Sequence, residues 1–415
     1  DKQPTCTPAP PLSMATIAGK MDSVTRIQDE DEEIEARKTK IVLALHFPDG
    51  ISAIVNDYAF DIGTRSWFSV GEALTEPIEG AGSVISKDGR YLNVIGGWIT
   101  AKYRQSDLKR HRWTCMPPMK KERFGLDVCQ SPCGRYIYAV GGLGHEVGVG
   151  VCSLRSGEVF DQRILEWSDL PSMHEPRSGH ALTISNDGRY LYAIGGKFGL
   201  TNITRSVEVL DLHTREWSYA SDLQKARGWI GTTATFTPDG NYIVTIGGCL
   251  PENPECPSSS SSETDKGDYA VNHHVGGINE RKTGMPLSAP VLPPSQMLHL
   301  KLKTMGEVYD VRADKWRLLR GKSTIPRVRE SGRAGLGIAM SPNGKKLFAV
   351  GGWPTANAEM YDLELQQWTY FQSPKISARY RRILRQSLNI SPDGKWLYYV
   401  AQGVQVLRIA PWVQW

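Results

Sequence analysis

Short apolar segments alternate along the chain with turns that contain glycine. Two examples are the five-residue segments 136–140 and 190–194, which consist of β-branched, aromatic and small apolar residues. Such segments favour β-strands. An Asp-Gly pair lies just before segment 190–194, and this pair permits the positive φ that a two-residue hairpin turn demands. The pattern therefore predicts antiparallel hairpins repeated along the chain.

A Gly-Gly doublet ends the second strand of each of the clearest copies. The doublet lets neighbouring backbones approach closely because it carries no side chains. Five turns and doublets recur in this order: Ser86 to Gly89 with Gly96-Gly97, Ser131 to Gly134 with Gly141-Gly142, Asn186 to Gly188 with Gly195-Gly196, Pro238 to Gly240 with Gly247-Gly248, and Pro342 to Gly344 with Gly351-Gly352. Weaker turns at Pro48-Asp49-Gly50 and Pro392-Asp393-Gly394 bring the number to seven. Self-similarity at this period predicts a propeller.

A second mark, an Asp followed after five residues by a Trp, lies downstream of most turns. It predicts a third strand, a turn that begins at the Asp, and a fourth strand whose indole packs between neighbouring blades. The six pairs are Asp61/Trp67, Asp107/Trp113, Asp161/Trp167, Asp211/Trp217, Asp310/Trp316 and Asp362/Trp368.

The two marks together resemble the kelch repeat family, whose units carry a Gly-Gly doublet followed by a spaced aromatic residue and a Trp. The resemblance covers residues 41–415 and implies an all-β, kelch-type β-propeller with about seven four-stranded blades. Asp-Gly turns also occur in WD-repeat propellers, which have the same architecture, but the combined marks favour kelch.

The remaining segments predict the domain organisation. Residues 1–40 contain an acidic run and show no blade pattern, so we expect a poorly ordered N-terminal segment before a propeller at 41–415. The Gly-Gly interval of 351 − 247 = 104 residues leaves room for an eighth blade. Because its Pro- and Ser-rich stretch lacks both marks, we instead predict a long insertion at 249–295 in blade five. The seventh unit is predicted to hold all four of its strands, with Trp412 and Trp415 closing the ring against blade one.

Composition narrows the functional classes. The seven cysteines are odd in number and include no Cys-x2-Cys pair, which disfavours a disulfide framework or zinc site and favours a reducing, cytoplasmic compartment. The chain contains no apolar run of about 18 residues, so no membrane span is predicted. A net charge of +5 without interleaved aromatic residues disfavours nucleic-acid binding. We expect a monomeric ring without metal or cofactor.

Arginines recur just before the inner strands, on the predicted face that carries the loops of variable length. A ring of guanidinium groups suits carboxylate ligands, and kelch domains of ubiquitin-ligase adaptors use Arg at similar places to grip acidic peptides. The resemblance thus implies a protein-interaction scaffold that binds an acidic segment of a partner. The alternative is that each Arg stabilises its own loop or pairs with a nearby Glu. The candidate partner-binding residues are Arg123, Arg177, Arg227, Arg333 and Arg382.

An enzyme acting on a carbohydrate is the competing hypothesis. Copper-radical oxidases carry kelch-like propellers, but the nearest His and Tyr cluster, Tyr269 with His273-His274, lies in the predicted insertion. A mutarotase-like activity would draw on axis-facing residues, for which His145, Glu146, His174 and His180 are candidates. No catalytic residue is assigned, and the sequence favours the protein-interaction scaffold over an enzyme.

Overall fold

The computed structural model describes a set of β-strands and the loops that join them. The described residues are 67–69, 78, 80–98, 100–146, 148, 150–198, 202–249, 306–319, 322–323, 335–352, 357–374, 386–401 and 403–409. The segments predicted as an N-terminal tail (1–40), as the first hairpin turn (48–50) and as most of the insertion (249–295) lie outside these residues, as do Trp412 and Trp415.

Six antiparallel sheets of four strands form the blades. In order from the inner to the outer strand they are blade 1 (Gly82–Ile85, Tyr91–Ile95, Tyr103–Asp107, Arg112–Met116), blade 2 (Asp127–Gln130, Tyr136–Val140, Gly157–Asp161, Glu166–Leu170), blade 3 (Ala181–Ile184, Tyr190–Ile194, Val207–Asp211, Glu216–Ala220), blade 4 (Gly228–Phe236, Tyr242–Cys249, Glu307–Asp310, Lys315–Leu318), blade 5 (Gly337–Met340, Lys346–Val350, Ala358–Asp362, Gln367–Phe371) and blade 6 (Ser387–Ile390, Trp396–Val400, Val404–Arg408, Phe68–Ser69). A short strand, Lys322–Ser323, adds a parallel partner to the outer edge of blade 5.

The six blades form a closed ring. Each inner strand contacts the inner strand of the next blade, and the inner strand of blade 6 contacts that of blade 1. Among the described residues every regular element is a strand. The predicted all-β propeller is confirmed.

The predicted number of about seven blades is corrected to six. The last hairpin unit does not supply all four of its strands, because its outer strand comes from the N-terminal side of the chain. Phe68 pairs with Val406 and Ser69 with Gln405, so strand Phe68–Ser69 completes blade 6. The unit around Trp67 is therefore the closing edge of the last blade, and the ring closes through backbone pairing.

Within the 104-residue Gly-Gly interval, the segment between Cys249 and Glu307 joins two neighbouring strands of one blade. Tyr242 on the second strand of blade 4 pairs with Asp310 on the third. The predicted insertion therefore lies between the second and third strands of a complete four-stranded blade. This blade was counted as the fifth in the seven-blade prediction and is blade 4 of the six observed.

Six apolar cores fill the spaces between neighbouring blades, and each contains one of the six tryptophans of the Asp-x5-Trp mark. Four of these indoles also donate a hydrogen bond to a backbone carbonyl just past the outer strand of the preceding blade: Trp67 to Gln372 at 2.7 Å, Trp167 to Pro117 at 2.8 Å, Trp217 to Pro171 at 2.9 Å and Trp316 to Ser221 at 2.9 Å. The indole thus fastens one blade to the next by packing and by a directional bond.

The Asp of the same mark builds the turn before the outer strand. In blade 3, Asp211 accepts hydrogen bonds from the amides of His213 and Thr214 at 2.8 and 3.3 Å. The residue four positions after the Asp is left-handed in five blades, with φ between 47° and 63°. These residues are His111, Leu165, Arg215, Asp314 and Gln366. The turn backbone is therefore constant while its side chains vary.

Trp67 gives a direct test of ring closure. It precedes the closing strand, is buried, and packs edge-on against Tyr399 with ring centroids 5.9 Å apart. We expect Trp67→Ala to lower the free energy of unfolding by about 3–5 kcal/mol, because it removes a buried indole from the junction of blades 5 and 6. Urea unfolding followed by circular dichroism measures the change. Tyr219→Ala, which removes a 55% exposed aromatic ring, is the control and should stay within about 0.5 kcal/mol of the parent; equal effects of both variants would contradict the six-blade closure.

Candidate functional site

Chain connectivity separates the loops onto two faces of the ring. The Asp-Gly turns and the turns before the outer strands lie on one face, which we call the turn face. The loops after the Gly-Gly doublets and the loops that link successive blades lie on the other, which we call the loop face. Loops that vary on a rigid scaffold are the usual place for binding, so the loop face is the first candidate.

Arg123 lies in the loop that links blade 1 to blade 2 and joins the two blades. Its backbone carbonyl accepts a hydrogen bond from the Gly97 amide of blade 1 at 3.1 Å. Its side chain enters blade 2, where it donates to the Gly141 carbonyl at 3.0 Å and to the Ser156 carbonyl at 2.8 Å. Its Nε and Nη2 atoms donate to Oε1 of Glu158 at 3.2 and 3.1 Å. The Arg123 guanidinium is thus satisfied inside the protein.

The same arrangement recurs in blades 3 and 4. Arg177 donates to the Gly195 carbonyl at 2.8 Å and forms an ion pair with Glu208 at 3.0 Å. Arg227 donates to the Gly247 carbonyl at 3.0 Å and forms an ion pair with Glu307 at 2.9 Å. We call the three pairs, Arg123–Glu158, Arg177–Glu208 and Arg227–Glu307, the Arg–Glu clamps.

Each clamp glutamate also holds the linking loop. Glu158 accepts hydrogen bonds from the amides of Lys120 and Lys121 at 2.7 and 3.2 Å. Glu208 accepts from the amides of His174 and Glu175, and Glu307 from those of Gln224 and Lys225. One carboxylate therefore pairs with a buried cation and fixes two loop amides, so the clamps set the shape of the loop face.

The Gly-Gly doublets are required by the same contacts. The first glycine of each doublet has positive φ, 60° at Gly141 and 61° at Gly195. A Cβ at Gly141 would lie 2.5 Å from the Arg177 carbonyl oxygen, and one at Gly195 would lie 2.6 Å from that of Arg227. A side chain at either glycine therefore collides with the backbone of the next clamp.

Three predicted binding arginines are buried in the structure. Arg123, Arg177 and Arg227 are 1%, 0% and 1% exposed. Burial lowers the pKa of the Arg123 and Arg227 guanidinium groups, and the adjacent carboxylates Glu158 and Glu307 partly offset this. The sequence left open, as the alternative to partner binding, that each Arg pairs with a nearby Glu. An Arg–Glu ion pair is the geometry observed at these three positions. Arg333 and Arg382 lie outside the described residues.

Two β-hairpins extend the loop face beyond the clamps. Leu143–Glu146 pairs with Gly150–Ser153 above blade 2, and Lys197–Phe198 pairs with Asn202–Ile203 above blade 3. The bases of the hairpins are joined, because the Ser153 hydroxyl donates to the Lys197 carbonyl at 3.2 Å and Ser178 bridges to Lys197. Each hairpin follows a Gly-Gly doublet. In the sequence, only the length of the loop after the doublet indicated these hairpins.

The hairpins carry exposed apolar side chains. Val151 is 58% exposed and Phe198 is 42% exposed. After the Gly-Gly doublet of blade 1, half-buried Trp98 lies against Phe124 with ring centroids 5.0 Å apart. Aromatic and aliphatic side chains on a fixed surface are the usual energetic centre of protein interfaces.

Ionisable groups on the loop face carry both signs. His145 on the blade 2 hairpin hydrogen-bonds Glu122, and exposed Arg205 lies 3.8 Å from exposed Asp222. A shallow depression of about 510 Å³ between blades 1 and 2 is lined by Thr100, Ala101, Lys120, Lys121, Glu122 and His145. Among the described residues, cationic and anionic side chains therefore lie side by side on the loop face.

The candidate residues of the enzyme hypothesis have separate surroundings. His145 and Glu146 lie on the exposed hairpin, His174 contacts Glu208, and His180 is buried beneath the doublets of blades 2 and 3. Tyr269, His273 and His274 lie outside the described residues. Within the described ranges no group of three or more His, Cys, Asp or Glu side chains is placed to hold a metal ion. In the part of the chain that the structure describes, no helix is long and apolar enough to span a membrane.

Comparison with known proteins bears on the repeats directly. The Kelch motif family matches residues 132–174 and 176–224, which cover most of blades 2 and 3. These two segments of the chain carry kelch motifs. The matched kelch repeats contain the Arg177–Glu208 clamp and both hairpins, so the candidate surface is built on family-defining units.

Curated relatives share these repeats over part of their length. The human Kelch-like protein 34 is 28% identical over 192 residues, covering 41% of this chain and 28% of the relative. The rat Kelch-like protein 7 is 34% identical over 106 residues, covering 26% of this chain and 17% of the relative. The human Kelch repeat and BTB domain-containing protein 13 is 35% identical over 123 residues, covering 29% of this chain and 26% of the relative. The matches thus span less than a third of each relative.

A solved structure, described as "Structure of YjhT", is similar over most of the kelch ring. It aligns with a TM-score of 0.54 at 14% sequence identity, covering 82% of this chain and 95% of that chain. At this identity the likeness supports the propeller fold alone.

The clamp geometry predicts a large cost for removing one charge. Arg177→Met leaves the buried Glu208 carboxylate without its cation, so we expect a loss of about 3–5 kcal/mol in the free energy of unfolding, read from the urea midpoint. Arg155→Met, at an exposed Arg of the same face, is the matched control and should change stability by less than about 0.5 kcal/mol. A wild-type midpoint for Arg177→Met would contradict the clamp role.

Proposed function

We propose that this propeller is a protein-interaction module that binds a partner through its loop face, with the hairpins of blades 2 and 3 as the principal contact. The single observation that carries the proposal is the exposure of Val151 and Phe198 on two hairpins joined at their bases. Similarity to Kelch-like proteins supports the same class of function.

The clamps make this surface suitable for binding. Because each clamp glutamate bonds two loop amides, buried contacts hold the linking loops in place. A partner therefore meets a surface that is ordered before binding, and a preordered surface loses less conformational entropy when the complex forms. Val151 and Phe198 project from this support and lose water contact when a partner covers them.

Recognition of an acidic segment stays a prediction, and its candidate residues change. Arg123, Arg177 and Arg227 already hold carboxylates of their own blades, so a partner would have to break a buried ion pair to reach them. Such recognition would instead use exposed cations of the loop face, such as Lys121, Arg155 and Arg205, together with Arg333 and Arg382.

A paired substitution tests the proposal. We expect the double variant Val151→Ser/Phe198→Ser to lose at least tenfold in affinity for partners that the parent protein captures from a cell extract, because both exposed apolar contacts are removed. The measurement is quantitative mass spectrometry of captured proteins, followed by titration of the purified partner.

The matched control is Ile164→Ser/Leu365→Ser, which removes two exposed apolar side chains from the turn face instead. It should leave capture unchanged. Equal capture by the hairpin variant and the parent would overturn the proposal. Capture that persists between 0.15 and 0.5 M salt would contradict the acidic-segment prediction alone, since ion pairs at an exposed surface weaken as salt is raised.

A further inference from the structure

The turn face carries a cluster of basic residues in blade 1, on the opposite side of the ring from the hairpins. The turn before the outer strand of this blade reads Asp107-Leu108-Lys109-Arg110-His111-Arg112. The side chains of Lys109, Arg110 and Arg112 are exposed. We call these three residues the basic turn.

The carboxylate of this turn is already used inside it. Oδ1 of Asp107 accepts hydrogen bonds from the amides of Lys109 and Arg110 at 3.0 and 3.1 Å. Oδ2 accepts from Nε and Nη2 of Arg90 at 3.3 and 3.1 Å. Burial raises the pKa of Asp107, but these hydrogen bonds outweigh it and hold the pKa below its usual range. Arg90 balances the one negative charge, so the basic turn keeps its three positive charges.

The basic turn has no ionic partner among the residues that the structure describes. The side chains of Lys109, Arg110 and Arg112 take part in none of the ion pairs there. Arg135 and Arg189, by contrast, each pair with an aspartate at the end of the third strand of their own blade, Asp161 and Asp211. The three side chains therefore contribute charge to the surface without stabilising the blade through ion pairs.

The other blades provide an internal comparison. Four further turns have the same backbone, with the left-handed residue at the same place. Their residues at the positions of 109–112 are Arg-Ile-Leu-Glu (163–166), His-Thr-Arg-Glu (213–216), Arg-Ala-Asp-Lys (312–315) and Glu-Leu-Gln-Gln (364–367). The turn therefore folds without three cations, and the fold does not explain their concentration in blade 1.

We propose that the basic turn of blade 1 is a second interaction surface, which binds an acidic segment of a partner protein on the face opposite the hairpins. Two of its three cations are arginines, whose forked donors match carboxylates. Asp107 pairs with Arg112 across the turn, so the three cations lie close together on one hairpin end, where a short run of Asp and Glu side chains can reach them. This inference does not depend on the proposed role of the loop face, since no residue is shared between the two surfaces.

The test uses the full chain and a labelled peptide of ten alternating Asp and Glu residues. Fluorescence anisotropy at low salt should show binding, and Lys109→Gln/Arg110→Gln/Arg112→Gln should weaken it about tenfold or more, with loss of most of the salt dependence. Because the three side chains make no ion pair with any residue that the structure describes, the urea midpoint of this variant should match that of the parent.

The matched control has the same change in net charge. Arg163→Gln/Arg312→Gln/Lys315→Gln removes three exposed cations from the same face but from other blades, and should retain the peptide affinity of the parent. Equal weakening by both triple variants would show attraction to overall charge only and would overturn the proposal.

Two further probes separate the sources of negative charge. The first probe is a vesicle that contains phosphatidylserine, because Ile164 and Leu365 expose apolar side chains on the same face and a membrane would cover them. The second probe is a 20-nucleotide single strand of DNA. Binding of either probe through the basic turn, with no binding of the acidic peptide, would overturn the assignment to a protein segment. The result expected is peptide binding that only the basic-turn variant weakens, by about tenfold or more.

Discussion

A cation removed from water needs an opposite charge, and the loop face of this propeller depends on that requirement. Arg123, Arg177 and Arg227 enter the protein from loops that link blades, and each finds a glutamate on the third strand of the blade that it enters. The same glutamates bind the loop amides, while the arginine carbonyls accept hydrogen bonds from the preceding Gly-Gly doublets. A single buried pair therefore fixes a loop, a strand and the junction with the neighbouring blade, at a position where an unpaired charge is costly.

The clamps act together with the apolar cores between blades. A four-stranded sheet has two faces to cover, and in this ring each is covered by the next blade. The indole of each Asp-x5-Trp mark occupies that space, and its N–H reaches the preceding blade in four cases. Ring closure follows the same logic, because blade 6 without Phe68–Ser69 would leave an open edge beside Trp67. The loops on the two faces of this rigid frame can differ from blade to blade. The hairpins of blades 2 and 3 and the basic turn of blade 1 are two such differences, and both are proposed interaction surfaces.

Local pattern was enough to predict the strands, the turns and the place of the tryptophans, because each reflects a short-range requirement. Blade count was not predictable in this way: the strand at Phe68 and its partner at Val406 are far apart in sequence, and the closing strand is short. The recurring Arg residues were recognised in the sequence, but they were predicted to be exposed because the glutamates that pair with them were not identified. Their partners did leave a signal, since Glu158, Glu208 and Glu307 each precede the Asp of the Asp-x5-Trp mark by three residues. Pairing the two repeats would have predicted the clamps.

Chemical accessibility of the arginines tests the account most directly. Phenylglyoxal labelling of the native protein, quantified peptide by peptide with mass spectrometry, reports which guanidinium groups solvent reaches. The structure predicts protection of Arg123, Arg177 and Arg227, together with reaction at exposed Arg110, Arg112 and Arg163. Rapid labelling of Arg123, Arg177 and Arg227 in the folded protein would contradict the clamps and restore these arginines as the exposed binding residues expected from the sequence.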